Sequence, residues 1–452
     1  MGSLFGTDGI RGVAGEPPLV KDDIYRIGYC LTDFLRTADS KPRLLIGRDT
    51  RASGPWIEKL LDRAIRDAGG VPEPCGVVST PALSLFACKA QAQAGIMISA
   101  SHNPFQDNGI KIFSAEGIKF NDAIEEELEA RILGCRLTAP QDFESDPHAM
   151  GYRHAVADSF QSLYTGHLRT CISPSLHLGG VPMVVDCAHG SLSGIAPAFF
   201  RNLGADVRAI HCDPDGRNIN HKAGALHLEN LQNEVKARKA VLGIAFDGDA
   251  DRAMFVDADG RIRDGDDVLY LLARYGGFQD APRIVVGTVM ANLGLEVALE
   301  QLDVRLVRTS VGDRNVLEEM QRLGAVLGGE QSGHIIFLNL ARTGDGLLTA
   351  LKVLEILVRE KWDMPALCCP VKRFPQVLLN VRVQEKVPLD SIAGLRETEE
   401  ACRLSLGARS RILLRYSGTE KLARVMVEGE NEQAVQDAAH NLAALFENHH
   451  NK

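Results

Sequence analysis

The fold is decided by the stretch Leu242-Gly-Ile-Ala-Phe-Asp-Gly-Asp-Ala-Asp-Arg252. Its first five residues are a short apolar run, which is typical of a buried strand, and a polar loop follows at once. Similar apolar runs occur at residues 43–47, 95–99, 181–185, 283–287 and 334–338. Helices are predicted between them, at residues 56–67, 122–133, 194–203 and 293–302. This alternation predicts an α/β fold in which crossover helices connect parallel strands.

The length of the chain predicts several domains. Its 452 residues exceed what one hydrophobic core usually organises. From about residue 368 the pattern changes to strands at 377–383, 411–414 and 424–427 and a terminal helix, which indicates a smaller α+β domain. The predicted domains are residues 1–150, 151–254, 255–367 and 368–452.

Composition narrows the class of protein. The net charge of -9, without any run of Lys or Arg, argues against nucleic-acid and membrane partners. No apolar run reaches the ~18 residues that a membrane span needs. The ten cysteines form no CxxC pair, and no secretory leader is recognisable, so we expect reduced thiols and a cytoplasmic protein.

The acidic loop after residues 242–246 predicts a metal site. In an extended segment alternate side chains share one face, so Asp247, Asp249 and Asp251 can converge on a hard cation. A calcium-binding EF-hand fits poorly, because Arg252 and Ala258 stand where that loop needs glycine and glutamate. Two alternatives remain, a solvated acidic turn and a phosphatase in which the first aspartate is the nucleophile.

A serine loop follows the predicted strand at residues 95–99. It reads Ala100-Ser-His-Asn-Pro104 and continues, after two residues, as Asp107-Asn-Gly-Ile-Lys111. Asn-Pro and Asn-Gly favour turns, so we expect Ser101 to be an exposed nucleophile with His102 as a nearby proton carrier. The alternative is a plain turn capped by serine and asparagine.

Two further loops carry groups that suit a sugar phosphate. Residues 328–334 place a glutamate and a serine among glycines, a suitable arrangement for binding vicinal hydroxyls. Residues 415–420, together with Arg424, gather guanidinium, hydroxyl and backbone donors of the kind that bind a phosphate dianion. Nucleotide-binding GxGxxG and GxxxxGK[ST] motifs and the esterase GxSxG motif are absent.

Taken together and in this order, the loops resemble the α-D-phosphohexomutase superfamily over essentially the whole chain. The motifs that carry the resemblance lie at residues 5–12, 99–111, 247–252, 309–314, 329–334 and 415–420. The resemblance implies three similar mixed-sheet α/β domains plus a smaller α+β C-terminal domain around a central active-site cleft.

The resemblance also implies roles for individual residues. Ser101 would be a phosphoserine, and its phosphate would hold Mg2+ together with Asp247, Asp249 and Asp251. Proton handling and charge stabilisation would fall to Lys111 and Arg11, with His102 in support. The implied substrate-binding residues are Arg252, Glu330, Ser332, His334, Arg415, Ser417, Gly418, Thr419 and Arg424.

Within the superfamily, the motifs at residues 5–12 and 329–334 look like those of the branch that acts on glucosamine phosphates. The implied enzyme is a cytoplasmic Mg-dependent intramolecular phosphotransferase, a monomer or homodimer, that forms glucosamine 1-phosphate for UDP-N-acetylglucosamine and cell-wall precursor synthesis. A hexosamine or glucose 1,6-bisphosphate would be its activator. Mannose or glucose phosphates as substrates, and a non-catalytic sugar-phosphate binder, are the alternatives. Two departures from the family pattern are Ala250 in place of glycine and Lys421 in place of proline.

Overall fold

The computed structural model describes residues 4–6, 8–37, 41–141, 157–277, 282–417 and 421–450. The chain divides into two compact units. The large unit comprises Met1–Val289 and Val307–Cys368, and the small unit comprises Met290–Leu306 and Cys369–Lys452. Among the described residues, no helix combines the length and the apolar composition needed to cross a membrane.

The first sheet belongs to the large unit and has five strands. Its elements are β1 (Ile10–Val13), α1 (Lys21–Leu35), β2 (Arg43–Arg48), α2 (Gly54–Asp67), β3 (Val71–Val77), α3 (Thr80–Lys89), β4 (Ala94–Ile98), β5 (Asp107–Ser114) and α4 (Asp122–Gly134). The strand order is β1-β5-β4-β2-β3. β2 runs parallel to β3 and β4, whereas β5 runs antiparallel to β4 and β1, so the sheet is mixed.

Helical periodicity explains how this layer packs. Apolar residues at three- and four-residue spacing, such as Ile24, Ile27 and Leu31 of α1, are buried in the core of the first sheet. α1 approaches α2 closely at Gly28, where an added Cβ would lie 2.9 Å from the Cβ of Ala64. The core therefore holds β4 in place, and β4 ends just before the loop of Ser101.

The second sheet also has five strands. Its elements are α5 (Ala157–Thr170), β6 (Pro182–Asp186), α6 (Ala196–Asn202), β7 (Asp206–Ile210), α7 (Glu229–Arg238), β8 (Leu242–Phe246), β9 (Ala253–Asp257) and β10 (Ile262–Arg263). The order is β10-β9-β8-β6-β7, with β6 parallel to both β7 and β8. All five residues of β8 are buried, which explains why this strand is continuously apolar.

The third sheet has four strands in the order β12-β11-β13-β14. The elements of this region are α8 (Gly265–Tyr275), β11 (Ile284–Thr288), α9 (Leu293–Glu300), β12 (Arg305–Thr309), α10 (Asp313–Leu323), β13 (Leu327–Gly329), β14 (Ile335–Phe337), α11 (Gly346–Arg359) and α12 (Met364–Leu367). β11 and β13 are parallel, whereas β13 and β14 are antiparallel and flank the loop of Glu330.

The small unit contains an antiparallel three-stranded sheet. Besides α9, which belongs to this unit, its elements are β15 (Gln376–Arg382), α13 (Leu395–Leu406), β16 (Ser410–Tyr416), β17 (Leu422–Gly429) and α14 (Glu432–His450). β17 lies in the middle of the sheet, and its Val425 and Val427 share a core with Leu442 and Phe446 of α14. The predicted α+β character of this region is confirmed.

One local prediction was wrong. Residues 107–111 were expected to continue the serine loop, but they begin strand β5. Asn108-Gly109 makes no turn here, because Gly109 provides room for a close strand contact instead. An added Cβ at Gly109 would lie 2.6 Å from the carbonyl oxygen of Ser99.

Candidate active site

Three buried aspartates form a carboxylate cluster directly after β8. One oxygen from each of Asp247, Asp249 and Asp251 lies within 4.8 Å of the other two. The prediction of an extended loop at these residues was wrong. Ala250 has a left-handed φ of 62° and donates its N–H to the carbonyl of Asp247 at 3.1 Å. A tight turn therefore brings the three carboxylates together, with alanine in a conformation that usually favours glycine.

Ser101 faces the first of these aspartates. Its Oγ donates a hydrogen bond to Asp247 Oδ2 at 2.6 Å and lies 3.3 Å from His102 Nδ1. The side chain was predicted to be exposed, but Ser101 is only 1% exposed, because the Asp247 side chain and the turn at Gly248 lie against it. Its φ of 51° is unusual for a residue with a side chain and is held by the surrounding contacts.

Arg51 fixes the backbone of the serine loop. Its Nη2 donates to the carbonyls of Ser101 at 3.0 Å and Asn103 at 2.9 Å, and its Nη1 donates to Pro104 and Asp107. Asp49 Oδ2 accepts from its Nε at 2.9 Å, so this buried guanidinium is balanced. Sequence analysis did not single out Arg51 and missed this role.

Lys111 places a positive charge among the carboxylates. Its Nζ lies 2.9 Å from Asp249 Oδ2, 3.2 Å from Asp8 Oδ2 and 3.6 Å from Asp251 Oδ2. Burial favours the neutral amine, but these three carboxylates outweigh it and raise the pKa of Lys111 above its usual value. Lys111 is therefore a stable cation at neutral pH.

The cluster fits a hard divalent cation. Burial, and then the charges of Asp251 and Asp249, raise the pKa of Asp247 well above its usual value. Among the described residues, the buried Asp249 Oδ1 has no hydrogen-bond partner. Three converging carboxylates with such an oxygen are the donor set that Mg2+ or Ca2+ prefers.

Two arginines and a histidine surround the serine. Arg252 lies with its Nε 3.7 Å from Asp251 Oδ1, and Arg11 Nη1 donates to Asn103 Oδ1 at 3.3 Å. Burial, and then the charges of Arg252 and Arg11, lower the pKa of His102 to about 4. His102 is therefore neutral at physiological pH, and its Nδ1 can accept the hydroxyl proton of Ser101.

The loop between β13 and β14 brings His334 to the carboxylate cluster. Its Nε2 accepts from the Gly344 N–H at 3.0 Å, and its Nδ1 lies 3.7 Å from Asp251 Oδ1. Glu330 Oε1 in the same loop accepts from the Gly312 N–H at 3.1 Å. The buried Ser332 Oγ has no hydrogen-bond partner in the described part of the chain. A carboxylate and a hydroxyl are thus held on one glycine-bounded loop.

The small unit carries the predicted phosphate-binding loop. Arg415 of β16 stands opposite Arg424 of β17 in the antiparallel register. Burial, and then the charge of Arg424, lower the pKa of Arg415. The Ser417 N–H, just after β16, donates to the carbonyl of Leu422 at the start of β17 at 2.8 Å. Two facing cations suit a phosphate dianion. The predicted residues Gly418 and Thr419 lie outside the described residues.

Sequence analysis missed three further residues that contact the site. Thr80 Oγ1 donates to Asp249 Oδ2 at 2.5 Å, and Asn220 Nδ2 donates to the Ser101 carbonyl at 2.8 Å. Lys119 pairs with both Asp8 and Asp313. Asp8 and Asp313 lie within motifs that were quoted, but Thr80 and Asn220 stand in no recognisable pattern, so no sequence signal pointed to them.

The chain matches four consecutive domains of one family. Domain I matches residues 2–136, domain II residues 162–260, domain III residues 264–374 and the C-terminal domain residues 378–445. The protein belongs to the phosphoglucomutase/phosphomannomutase family. Membership in this family confirms the predicted fold class and the superfamily that the motifs resemble.

Relatives within the phosphoglucomutase/phosphomannomutase family cover the whole chain. A phosphoglucosamine mutase of Solibacter usitatus is 44% identical over 447 residues, which is 98% of both chains. The crystal structure of a family protein from Burkholderia thailandensis covers 99% of this chain and 98% of its own, with a TM-score of 0.78 and 24% identity. The crystal structure of an N-acetylphosphoglucosamine mutase of Aspergillus fumigatus, in complex with GlcNAc-6P and magnesium, covers 100% of this chain and 96% of its own. Its TM-score is 0.66, and its sequence identity is 18%. Both structures share the fold.

Proposed function

We propose that the protein is a phosphoglucosamine mutase that interconverts glucosamine 6-phosphate and glucosamine 1-phosphate. The observation that carries this function is the 2.6 Å contact between Ser101 Oγ and Asp247 Oδ2, inside a cluster of three buried aspartates. It places a nucleophile beside a cation site, which phosphoryl transfer needs. The 44% identity to a phosphoglucosamine mutase supports the choice of sugar.

In this reaction, phosphoserine 101 gives its phosphoryl group to O1 of glucosamine 6-phosphate. The resulting 1,6-bisphosphate stays bound and turns around. Its 6-phosphoryl group then returns to Ser101, and glucosamine 1-phosphate leaves. Each cycle regenerates the phosphoserine, so no phosphate is lost. A hexosamine or glucose 1,6-bisphosphate acts as activator, because it can phosphorylate a bare Ser101.

Residues of the large unit align and neutralise the transferring group. Asp247, Asp249 and Asp251 would hold Mg2+ together with the phosphate on Ser101. When bound, this ion neutralises charge on the phosphoryl oxygens. Lys111 is held protonated by its carboxylate neighbours, so we assign it to charge stabilisation rather than to proton removal.

The remaining positive and proton-carrying groups lie beside the serine. His102 is neutral and 3.3 Å from Ser101 Oγ, so it can accept or return the hydroxyl proton. Arg252 and Arg11 supply positive charge around the transferring phosphoryl group.

Substrate binding is assigned to two loops. Glu330, Ser332 and His334 would bind the sugar hydroxyls, since they present a carboxylate, a hydroxyl and an imidazole on one loop. The phosphate that is not being transferred would be bound by Arg415, Ser417, Gly418, Thr419 and Arg424. The facing arginines of β16 and β17 support this assignment, because a dianion between them would relieve their repulsion.

We retain the sequence-based domain boundaries near residues 150, 254 and 367. A small sugar phosphate is the proposed partner, in the cytoplasm. The net charge of -9 supports the absence of nucleic-acid and membrane partners. The assembly is proposed to be a monomer or a homodimer.

A coupled assay for glucosamine 1-phosphate, with and without Mg2+ and bisphosphate activator, tests the function. Initial rates on glucosamine, glucose and mannose 6-phosphates establish the preferred sugar. Release of inorganic phosphate without glucosamine 1-phosphate would instead indicate a phosphatase that uses Asp247. Sugar-phosphate binding without turnover, and without phosphate on Ser101 by intact mass spectrometry, would indicate a non-catalytic binder.

A further inference from the structure

Two cysteines outside the proposed active site lie at the carboxyl ends of neighbouring parallel strands. Cys187 directly follows β6, and Cys212 lies two residues after β7. In the register, Asp186 pairs with Ile210, and the Cys187 N–H donates to the Ile210 carbonyl at 3.3 Å. Both cysteines are free thiols.

Both cysteines contact the same backbone carbonyl, that of Ile210. His211 has a left-handed φ of 50°, and its Nδ1 lies 2.8 Å from Asp186 Oδ2. After this reversal, Cys212 Sγ donates to the Ile210 carbonyl at 3.2 Å, so it reaches the same oxygen that accepts from the Cys187 N–H. Cys187 is completely buried, whereas Cys212 is partly exposed. A reagent from solvent therefore reaches Cys212 first.

The two thiols differ in acidity in the order that a redox pair needs. The hydrogen bond from Cys187 lowers the pKa of Cys212, although burial, Asp186 and Asp213 oppose it. The same hydrogen bond, and then burial, raise the pKa of Cys187 well above its usual value. The thiolate is the attacking form, so Cys212 suits the attacking role and Cys187 the resolving role.

The backbone after Cys187 is packed against the loops of the proposed active site. The Ala188 carbonyl accepts from the Asn220 N–H at 2.9 Å, and Asn220 Nδ2 donates to the Ser101 carbonyl at 2.8 Å. At Gly190 an added Cβ would lie 2.3 Å from the Gly248 carbonyl oxygen, within the turn of the carboxylate cluster. A shift of residues 187–190 therefore reaches both Ser101 and the metal-binding turn.

We propose that Cys187 and Cys212 form a redox-sensitive dithiol whose oxidation to a disulfide slows phosphoryl transfer at Ser101. The effect on rate rests on the proposed function, whereas formation of the disulfide does not. A disulfide shortens the sulfur–sulfur separation to about 2 Å, which draws the backbone at residue 187 toward β7. Its neighbours at 188–190 then move away from their contacts with Asn220 and Gly248.

The oxidant is a low-molecular-weight disulfide such as oxidised glutathione. The Cys212 thiolate attacks one of its sulfur atoms, which forms a mixed disulfide and releases one thiolate. Cys187, once deprotonated, attacks the Cys212 sulfur, forms the protein disulfide and releases the second thiolate. Two protein thiols are oxidised, and one small disulfide is reduced to two thiols. The two small thiols take up the protons that the protein thiols lose.

A second thiol pair in the chain offers a matched control. Cys30 of α1 lies near Cys135, which follows α4, and its Sγ donates to the Arg131 carbonyl at 3.8 Å. Burial, and then Cys135, raise the pKa of Cys30 to about 12. Among the described hydrogen bonds, this pair makes none to the backbone of Ser101 or Gly248. Its oxidation is not expected to change the reaction rate.

The test uses the full-length protein equilibrated with oxidised or reduced glutathione. Peptide mass mapping detects the linkage, and the coupled assay measures the rate. We expect the Cys187–Cys212 disulfide to form and the rate to fall by about tenfold, because small misplacements of reacting groups cost rate. Dithiothreitol restores the rate. The Cys30→Ser/Cys135→Ser variant responds like the unmodified chain, whereas Cys212→Ser keeps its reduced-state rate and does not respond.

Three results would overturn the proposal: no linkage between the two cysteines, a linkage with unchanged rate, or the same rate loss in Cys212→Ser. Should Cys212→Ser misfold, Cys187→Ser serves instead and should stop at a mixed disulfide on Cys212. A reduced enzyme without mutase activity would refute the proposed function alone. In that case Mg2+ titration by calorimetry replaces the rate, with weaker binding expected in the disulfide form and equal binding contradicting the proposal.

Discussion

The serine site of the large unit and the arginine pair of the small unit handle charge in opposite ways. Around Ser101, the Lys111 ammonium lies within 3.6 Å of three carboxylates. On the strands β16 and β17, two arginines of like charge face each other. The first arrangement pairs opposite charges, whereas the second places two like charges opposite each other.

This difference separates two tasks. Groups that make and break bonds need a fixed geometry, and internal ion pairs and hydrogen bonds provide it before a ligand arrives. A group that holds a phosphate gains from like charges, because the ligand relieves their repulsion. Substitutions at the serine site are therefore expected to lower mainly the reaction rate. Substitutions in the arginine pair are expected to weaken mainly the affinity for substrate.

Removal of the proposed nucleophile would have the largest effect. Ser101→Ala should lower kcat by at least about a thousandfold with folding intact, since the proposed reaction passes through a phosphoserine at this position. The coupled assay measures the rate, and circular dichroism checks the fold. Ser114→Ala, at the end of β5, is the control and should keep normal turnover. Full activity of Ser101→Ala would refute the assignment.

Loss of one carboxylate comes next. Asp249→Asn removes a charge that binds Lys111 and a predicted metal ligand, so the Mg2+ concentration needed for half-maximal rate should rise about a hundredfold. Titration of the rate with Mg2+ measures this. Asp259→Asn, in the exposed turn after β9, provides the control. Unchanged metal dependence of Asp249→Asn would argue against the three-aspartate site.

The arginine pair should affect binding more than chemistry. Arg415→Ala removes charge-assisted hydrogen bonds worth about 1.5–3 kcal/mol, so KM should rise by about ten- to a hundredfold with a smaller change in kcat. Inorganic phosphate should also stabilise this variant less against heat. Arg409→Ala, an exposed arginine near the start of β16, is the control. A loss confined to kcat would contradict the division of tasks.

The smallest expected effect concerns Asp345, the buried residue that caps the N-terminus of α11. Asp345 accepts from Leu348 N–H at 2.9 Å and from Tyr164 Oη at 2.8 Å, and burial raises its pKa to about 6. The folded protein therefore binds a proton more tightly than the unfolded chain. This contribution is complete below pH ~4 and is lost as pH rises through about 6, a change of about 1–3 kcal/mol.

Asp345→Asn keeps the hydrogen-bond acceptor but cannot titrate. The thermal midpoint of this variant should therefore fall less than that of the unmodified protein as the pH rises from about 4.5 to 7. Asp363 is a matched control, because it caps α12 through the Ala366 N–H in the same way but is exposed. Differential scanning calorimetry measures the midpoints of both variants and the unmodified chain. Equal slopes in Asp345→Asn and the unmodified protein would contradict the raised pKa.

Sequence reasoning succeeded where chemistry directly follows a strand. Asp247 comes after a run of five buried apolar residues, so the position of its loop at the sheet edge was predictable. The facing of Ser101 toward Asp247, 146 residues away, was expected only from family resemblance. Neither periodicity nor composition predicts a contact between residues so far apart in the sequence.

The errors have a common physical cause. The burial of Ser101, the left-handed Ala250 and the strand at Asp107–Ser114 all depend on packing between distant segments. Gly109 looks like a turn residue locally, but the close approach of Ser99 determines its role. The proximity of Cys187 and Cys212 could not be predicted either, since a spacing of 25 residues matches no known cysteine motif.

The hydrogen bonds from Arg51 to the carbonyls around Ser101 have a consequence for conformational entropy. Four carbonyl oxygens accept hydrogen bonds from one buried guanidinium, so the turn that presents the hydroxyl is ordered when the chain folds. The cost of immobilising the nucleophile is met once, during folding, and does not recur at each encounter with a substrate.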